Sequence, residues 1–252
     1  MMKILYLLVT SFLFCSSYGS SIRSNVGGRN VAYIQDQDAP NYTVYDYVQE
    51  DLVSMLDAID NVGIGEHDSS SHVWYNLVNS GTSIGNASMT FGDDYMLLGT
   101  TIYSWTLTAS ESEALGIGRD FTVEFLIEAG DSNWNVPFSL YGGDPKSQFV
   151  YFYPVPKRIW YHGNKIISNG PGTMTIGETC LFSFVREGSK GYGYLNGELI
   201  AVKDIDNMQG SYAMYMYATA HKQKSIRIYG RSLDQAEIAH NYMIDKARFN
   251  LP

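Results

Sequence analysis

Cysteine, proline and positive charge are all scarce in this chain. Only 2 Cys and 7 Pro occur among its 252 residues. Two cysteines cannot build a disulfide scaffold or a four-thiolate metal centre. Lys and Arg number 17 against 26 Asp and Glu, a formal charge of −9, with no basic cluster. That balance argues against nucleic acid as a partner and against docking on an anionic membrane surface. No apolar run approaches the roughly 20 residues of a spanning helix; the longest, Ile4–Cys15, is interrupted by Thr10 and Ser11. Apolar residues are plentiful at 45%, and 20 Tyr, 11 Phe and 4 Trp supply bulk for a core.

The N-terminus reads as an address. Met1-Met2-Lys3 is a short basic start, Ile4–Cys15 an apolar stretch, and Ser17-Tyr18-Gly19 places small residues at −3 and −1 of a cleavage site. Residues 1–19 are therefore expected to be a signal peptide. The chain would then be exported, to the medium, the cell surface or the periplasm, with no membrane insertion after cleavage. Cleavage after Gly19 discards Lys3 and Cys15 and leaves Cys180 as the lone cysteine. Its setting, Cys180-Leu-Phe-Ser-Phe184, is that of a buried small hydrophobe. Residues 20–41, a mixture rich in Ser, Gly, Arg and Asn at the start, read as a leader segment, and 42–252 as a single domain without repeats or linkers.

The domain is written mostly in strands. Phe121–Ala129 alternates Phe, Val, Phe, Ile and Ala on one face. Phe149–Tyr153, Thr179–Arg186, Ser211–Ala218 and Lys224–Tyr229 repeat the pattern, and Gly191–Leu195 and Glu198–Lys203 flank Asn196-Gly197, a strong two-residue hairpin turn. Short strands separated by turns indicate an antiparallel sandwich or barrel. One helix is expected near the C-terminus. Ser232 with Gln235 three residues on makes a capping box, and Ile238, Ala239, Tyr242 and Met243 form an apolar stripe running to about Ala247. Val48, Leu52, Met55, Leu56 and Ile59 also fit a helical period.

Phe121-Thr-Val-Glu-Phe125, Gly193-Tyr-Leu-Asn-Gly197 and the tail from Ile226-Arg-Ile-Tyr-Gly-Arg231 to Glu237-Ile-Ala-His-Asn-Tyr242 resemble, in that order, a laminin-G-like domain of the concanavalin A-like lectin/glucanase superfamily. Leu52–Asn61, His67-Asp68, Trp74–Leu77 and Asp245–Phe249 resemble bacterial exported members, so the resemblance spans about residues 42–250. Asp234 departs from the small hydroxyl residue usual at its position. The resemblance implies an all-β jelly-roll sandwich of two antiparallel sheets with one C-terminal helix. It also implies that Leu52–Ala58 is a strand, against the periodicity.

Function is read at three levels. Glucanases of this superfamily carry Glu-x-Asp-x-Glu on one strand; here Glu124 and Glu128 share a face, but Leu126 stands where the Asp would be. A retaining pair needs carboxyls about 5–5.5 Å apart, whereas four residues of strand span about 13 Å. A hydrolase using Glu124 and Glu128 is thus the least favoured reading. The favoured one is a non-catalytic, lectin-like carbohydrate-binding domain, since sugar rings stack on aromatic faces with amides and carboxylates nearby. Its candidates are Trp134 and Asn135, Trp160 and His162, and the outward pair Tyr215 and Tyr217. The alternative is a structural or adhesion module that binds a surface protein. Partners are accordingly an extracellular glycan or a surface protein. No cofactor is required, and Ca²⁺ is possible through Asp57 with Asp60, Glu66 with Asp68, Asp93-Asp94 or Asp204 with Asp206. The five histidines show no His-x-x-x-His spacing.

Overall fold

The computed structural model describes residues 41–99, 102–130, 137–142, 148–153, 157–161, 165–169, 174–205 and 211–252. In chain order the elements are β1 (Leu52–Asp57), β2 (Val73–Trp74), β3 (Ile84–Gly85), β4 (Met89–Phe91), β5 (Met96–Leu98), β6 (Ile102–Thr106), α1 (Ala109–Ala114), β7 (Phe121–Glu128), β8 (Phe138–Gly142), β9 (Gln148–Tyr153), β10 (Arg158–Tyr161), β11 (Lys165–Asn169), β12 (Thr179–Glu187), β13 (Lys190–Leu195), β14 (Glu198–Asp204), β15 (Ser211–Tyr217), β16 (Lys222–Tyr229) and α2 (Gln235–Arg248). The expected signal peptide and nearly all of the leader segment lie outside the described residues.

Two antiparallel sheets form a β-sandwich. One has eight strands, ordered β14-β13-β12-β7-β16-β5-β4, with β1 also pairing to β16. The other has six, ordered β11-β10-β9-β8-β15-β6. The alternation read from Phe121 onward places Phe121, Val123, Phe125 and Ile127 in the core, facing Phe138, Leu140, Phe152, Met214 and Met216 of the six-stranded sheet. Phe125 stacks on Phe138 at 5.3 Å and on Phe152 at 5.7 Å between ring centroids. Cys180 is buried in the same core, as its apolar neighbours predict. The Asn196-Gly197 turn adopts φ of 52° and 80°, the left-handed pair that a two-residue hairpin needs.

The segment from Val48 is not helical. β1 pairs with β16 from Leu52↔Tyr229 to Asp57↔Ser225. Its helical period has a physical cause: both faces of the strand are covered. Leu56 enters the main core, while Met55 packs with Val44, Tyr47 and Ile244 on the opposite side. Apolar residues on both faces erase the period-2 signal.

The C-terminal helix exists but starts later and buries a different stripe than the sequence suggested. Its cap is Asp234, whose side chain accepts from the Glu237 N–H, while Glu237 accepts from the Asp234 N–H at 3.0 Å. Asp caps as well as a hydroxyl residue does, so the departure at 234 is functionally neutral for the helix. The buried face is Ile238, Asn241, Ile244 and Asp245; Ala239 and Met243 are exposed. An apolar-stripe rule misses this face because the sheet beneath presents charged groups, which select polar partners. Another capping box, Thr108 with Glu111, opens the short α1 and was not anticipated from the sequence.

Candidate functional site

Part of the outer face of the eight-stranded sheet is covered by α2. Val123 and Phe125 point to the core, so Glu124 points outward, yet it is fully buried. Its carboxylate accepts from Arg227 Nε at 2.7 Å, Asn241 Nδ2 at 2.8 Å and Ser183 Oγ at 3.2 Å. The Arg227 guanidinium donates its other nitrogens to both oxygens of Asp245, at 2.8 and 2.6 Å, and lies over the Tyr47 ring at 4.3 Å. Tyr47 donates its hydroxyl to Asp245 at 2.7 Å. Arg248, one turn further, binds Asp57 at 2.6 Å and Asp60 at 3.2 Å. Burial pushes the Glu124 carboxyl up and the Arg227 charge opposes it, while Arg227 itself is held well above its usual value by Asp245 and Glu124 against its own desolvation.

This network settles the role of Glu124. A carboxylate with no exposed surface and three donors cannot attack a sugar, so Glu124 is an anchor for α2. Leu126, where a glucanase carries Asp, packs with Leu181 and Phe249. Glu128 is partly buried and forms ion pairs with Lys222 at 2.7 Å and Lys224 at 3.4 Å. The two carboxylates are thus engaged separately, each with its own cation, and do not form the close pair that a retaining hydrolase needs.

The outer face of the six-stranded sheet is different. On β15, Met214 and Met216 enter the core, and Tyr215 and Tyr217 stand half-buried on the opposite face, as the alternation predicts. Tyr215 pairs in register with Ser104 of β6 and Ser139 of β8. Ser104 and Thr106 on the same side are exposed. The Tyr215 ring lies 4.6 Å from that of Tyr141, tilted by 42°. Tyr141 was not among the expected residues, although Phe138-Ser-Leu-Tyr141 alternates as β15 does and places it there. Ser139 pairs with Tyr151 and Tyr151 with Trp160, so the Trp160 backbone occupies the same cross-strand row as Tyr215. Ser139 Oγ, buried in that row, has no hydrogen-bond partner among the described residues. Trp134, Asn135 and His162 lie outside the described residues.

Several of the acidic candidates for calcium are already engaged by cations, and Asp206 lies outside the described residues. Asp57 and Asp60 serve Arg248, Asp94 binds Lys224 at 2.6 Å and Asp204 binds Lys190 at 3.0 Å. Among the described residues no three His, Cys, Asp or Glu side chains gather as a metal site. Trp74 is a core residue, and Trp105 packs half-buried against the core beside Tyr103. Among the described residues no helix is long and apolar enough to cross a membrane.

No family model and no curated protein matches the sequence. Solved structures do share the fold. Trypanosoma rangeli sialidase superposes with a TM-score of 0.58 at 12% identity, covering 78% of this chain and 33% of the sialidase. Domain 4 of an extracellular arabinanase from Geobacillus stearothermophilus, in complex with arabinotriose, gives 0.57 at 11% identity, covering 77% of this chain and 100% of that domain. The binding domain of botulinum neurotoxin serotype D gives 0.53 at 11% identity over 77% of this chain and 50% of its own. The chain spans about a third of the length of the sialidase it matches. At these identities the likeness is one of fold, a β-sandwich.

Proposed function

We propose that the chain is an exported, non-catalytic carbohydrate-binding domain of laminin-G-like type, and that it holds glycans on the outer face of the six-stranded sheet. The observation that carries the reading is the Tyr141–Tyr215 ring pair, half-buried on that face. Its row continues through the backbone positions of Tyr151 and Trp160. Aromatic rings fixed on a rigid sheet offer sugar rings an apolar surface at little entropic cost. Ser104 and Thr106 supply hydroxyls beside them. On the other sheet α2 covers much of the outer face with ion pairs. Support also comes from the shared sandwich of the arabinanase domain, which was solved in complex with arabinotriose. Trp134, Asn135 and His162 belong to the same reading as contributors from the connecting segments, and Ca²⁺ as an optional aid.

The test is a glycan array that includes arabino-oligosaccharides, probed with the wild-type chain and with Tyr215→Ala and Trp160→Ala. The expected result is a bound glycan whose dissociation constant rises about three- to tenfold in each variant. If no glycan is held, with or without Ca²⁺, the carbohydrate reading is lost. N-terminal sequencing of the exported product tests the leader; Ser20 is the expected first residue.

A further inference from the structure

At the start of α2 a cleft of about 400 Å³ opens on the outer side of the eight-stranded sheet, beyond the part that the helix covers. One wall is made by Tyr192 and Tyr194 of β13, the other by residues 231–235 and the first turn of α2. Its charged groups are Glu187, Arg231, Asp234 and Glu237. The single guanidinium is already committed: Arg231 donates to both oxygens of Glu237, at 2.6 and 2.8 Å, and lies 3.4 Å from Glu50. Glu187, exposed, and Asp234, exposed while it caps α2, leave the cleft with a net negative charge beside the half-buried Tyr192 and the buried Tyr194. Aromatic faces next to carboxylates favour a cation over a neutral or anionic guest.

The surroundings select the kind of cation. Tyr192 pairs across the sheet with Val202 and Tyr194 with Leu199 of β14, the strand at the end of the sheet order. Val202 and Leu199 are 43% and 41% exposed, so the aromatic wall continues onto an apolar shelf. A free amine has nothing to place there, whereas a polypeptide that carries an apolar residue beside its cation does. We propose that the cleft docks a partner polypeptide, which inserts one lysine or arginine side chain against Tyr192, Tyr194 and Glu187 and lays a neighbouring apolar residue on Leu199 and Val202. The face is separate from the tyrosine row of the other sheet, so this inference stands independently of the glycan reading.

A peptide array of hexamers centred on Lys or Arg with apolar neighbours, probed with the full chain, tests it. The best binder is then titrated against the same peptide with acetyl-lysine or citrulline in place of the cation, and against glucosamine. Binding is expected to weaken about tenfold or more on neutralising the cation and in Tyr192→Ala, Glu187→Gln and Val202→Asp. Glu187 and Val202 are exposed, so those two variants keep the fold if Tyr192→Ala perturbs it. The proposal is overturned if no peptide binds, if the neutral peptide binds equally well, if the variants bind as wild type does, or if glucosamine competes for the cleft at the peptide's own affinity.

Discussion

Replacing Arg227 by Met should be among the most damaging single changes available in this domain. The side chain is fully buried and neutralises two carboxylates, Glu124 and Asp245, that are themselves fully buried. Met fills much of the arginine stem but leaves both anions without a cation. Breaking a buried pair in this way costs about 3–5 kcal/mol. For a domain of this size that corresponds to a fall in Tm of about 6–20 °C. The loss should depend on pH in a defined direction. Burial already raises the Glu124 pKa, and Arg227 is the foremost influence holding it down. Without Arg227 the folded-state value rises further above the unfolded one, so the penalty is full above the folded pKa and shrinks as pH falls toward the unfolded value. Calorimetry and denaturant unfolding at pH 7, 6 and 5 should show the gap to wild type narrowing with acidity. The triple variant Arg227→Met, Glu124→Gln, Asp245→Asn should recover a large part of the loss at pH 7. A destabilisation under about 1 kcal/mol at pH 7, or a gap that widens on acidification, would refute the assignment of these residues as a buried charge clasp.

Further expectations concern the helix start, the hairpin and the thiol. The Arg231 hydrogen bonds hold the Glu237 carboxyl below its usual value of 4.5, so this group's stabilisation is present above the unfolded pKa and lost as pH falls through the folded one. Glu237→Gln should therefore flatten the decline of stability below about pH 4.5 in acid titrations followed by circular dichroism; an unchanged acid limb counts against the pairing. Gly197→Ala should destabilise by about 1–3 kcal/mol in denaturant melts, because φ is 80° and the new Cβ would sit 3.2 Å from the Ala239 Cα on α2. A wild-type midpoint would contradict that contact. Burial pushes the Cys180 thiol up to about 12, so a thiol reagent should label it only at the rate of unfolding; fast labelling of the folded chain would show the core to be open there.

Much of the fold was legible because strands announce themselves locally. Phe121–Glu128 has one face in the core and reads correctly from its own residues, and the Asn196-Gly197 turn needs only its two dihedral angles. The periodicities that point the wrong way share one cause. β1 is covered on both sides, and α2 packs on a charged surface, so in each the expected apolar period is distorted by what lies opposite. Of the proposed binding residues, Tyr215 and Tyr217 could be placed by alternation alone. Tyr141 joins Tyr215 from 74 positions earlier only through strand pairing.

The sequence by itself determined an acidic, aromatic-rich, antiparallel β chain with a lone apolar-bedded cysteine and a terminal helix, because composition, alternation and turn chemistry act over a few residues. The tertiary structure alone decided what the carboxylates are for. Glu124 meets Arg227 across 103 positions and Asn241 across 117, and no local pattern records such meetings. The same long-range pairing covered part of one sheet face with a helix, left a tyrosine row on the other, and gathered Tyr192, Glu187 and Arg231 around one cleft.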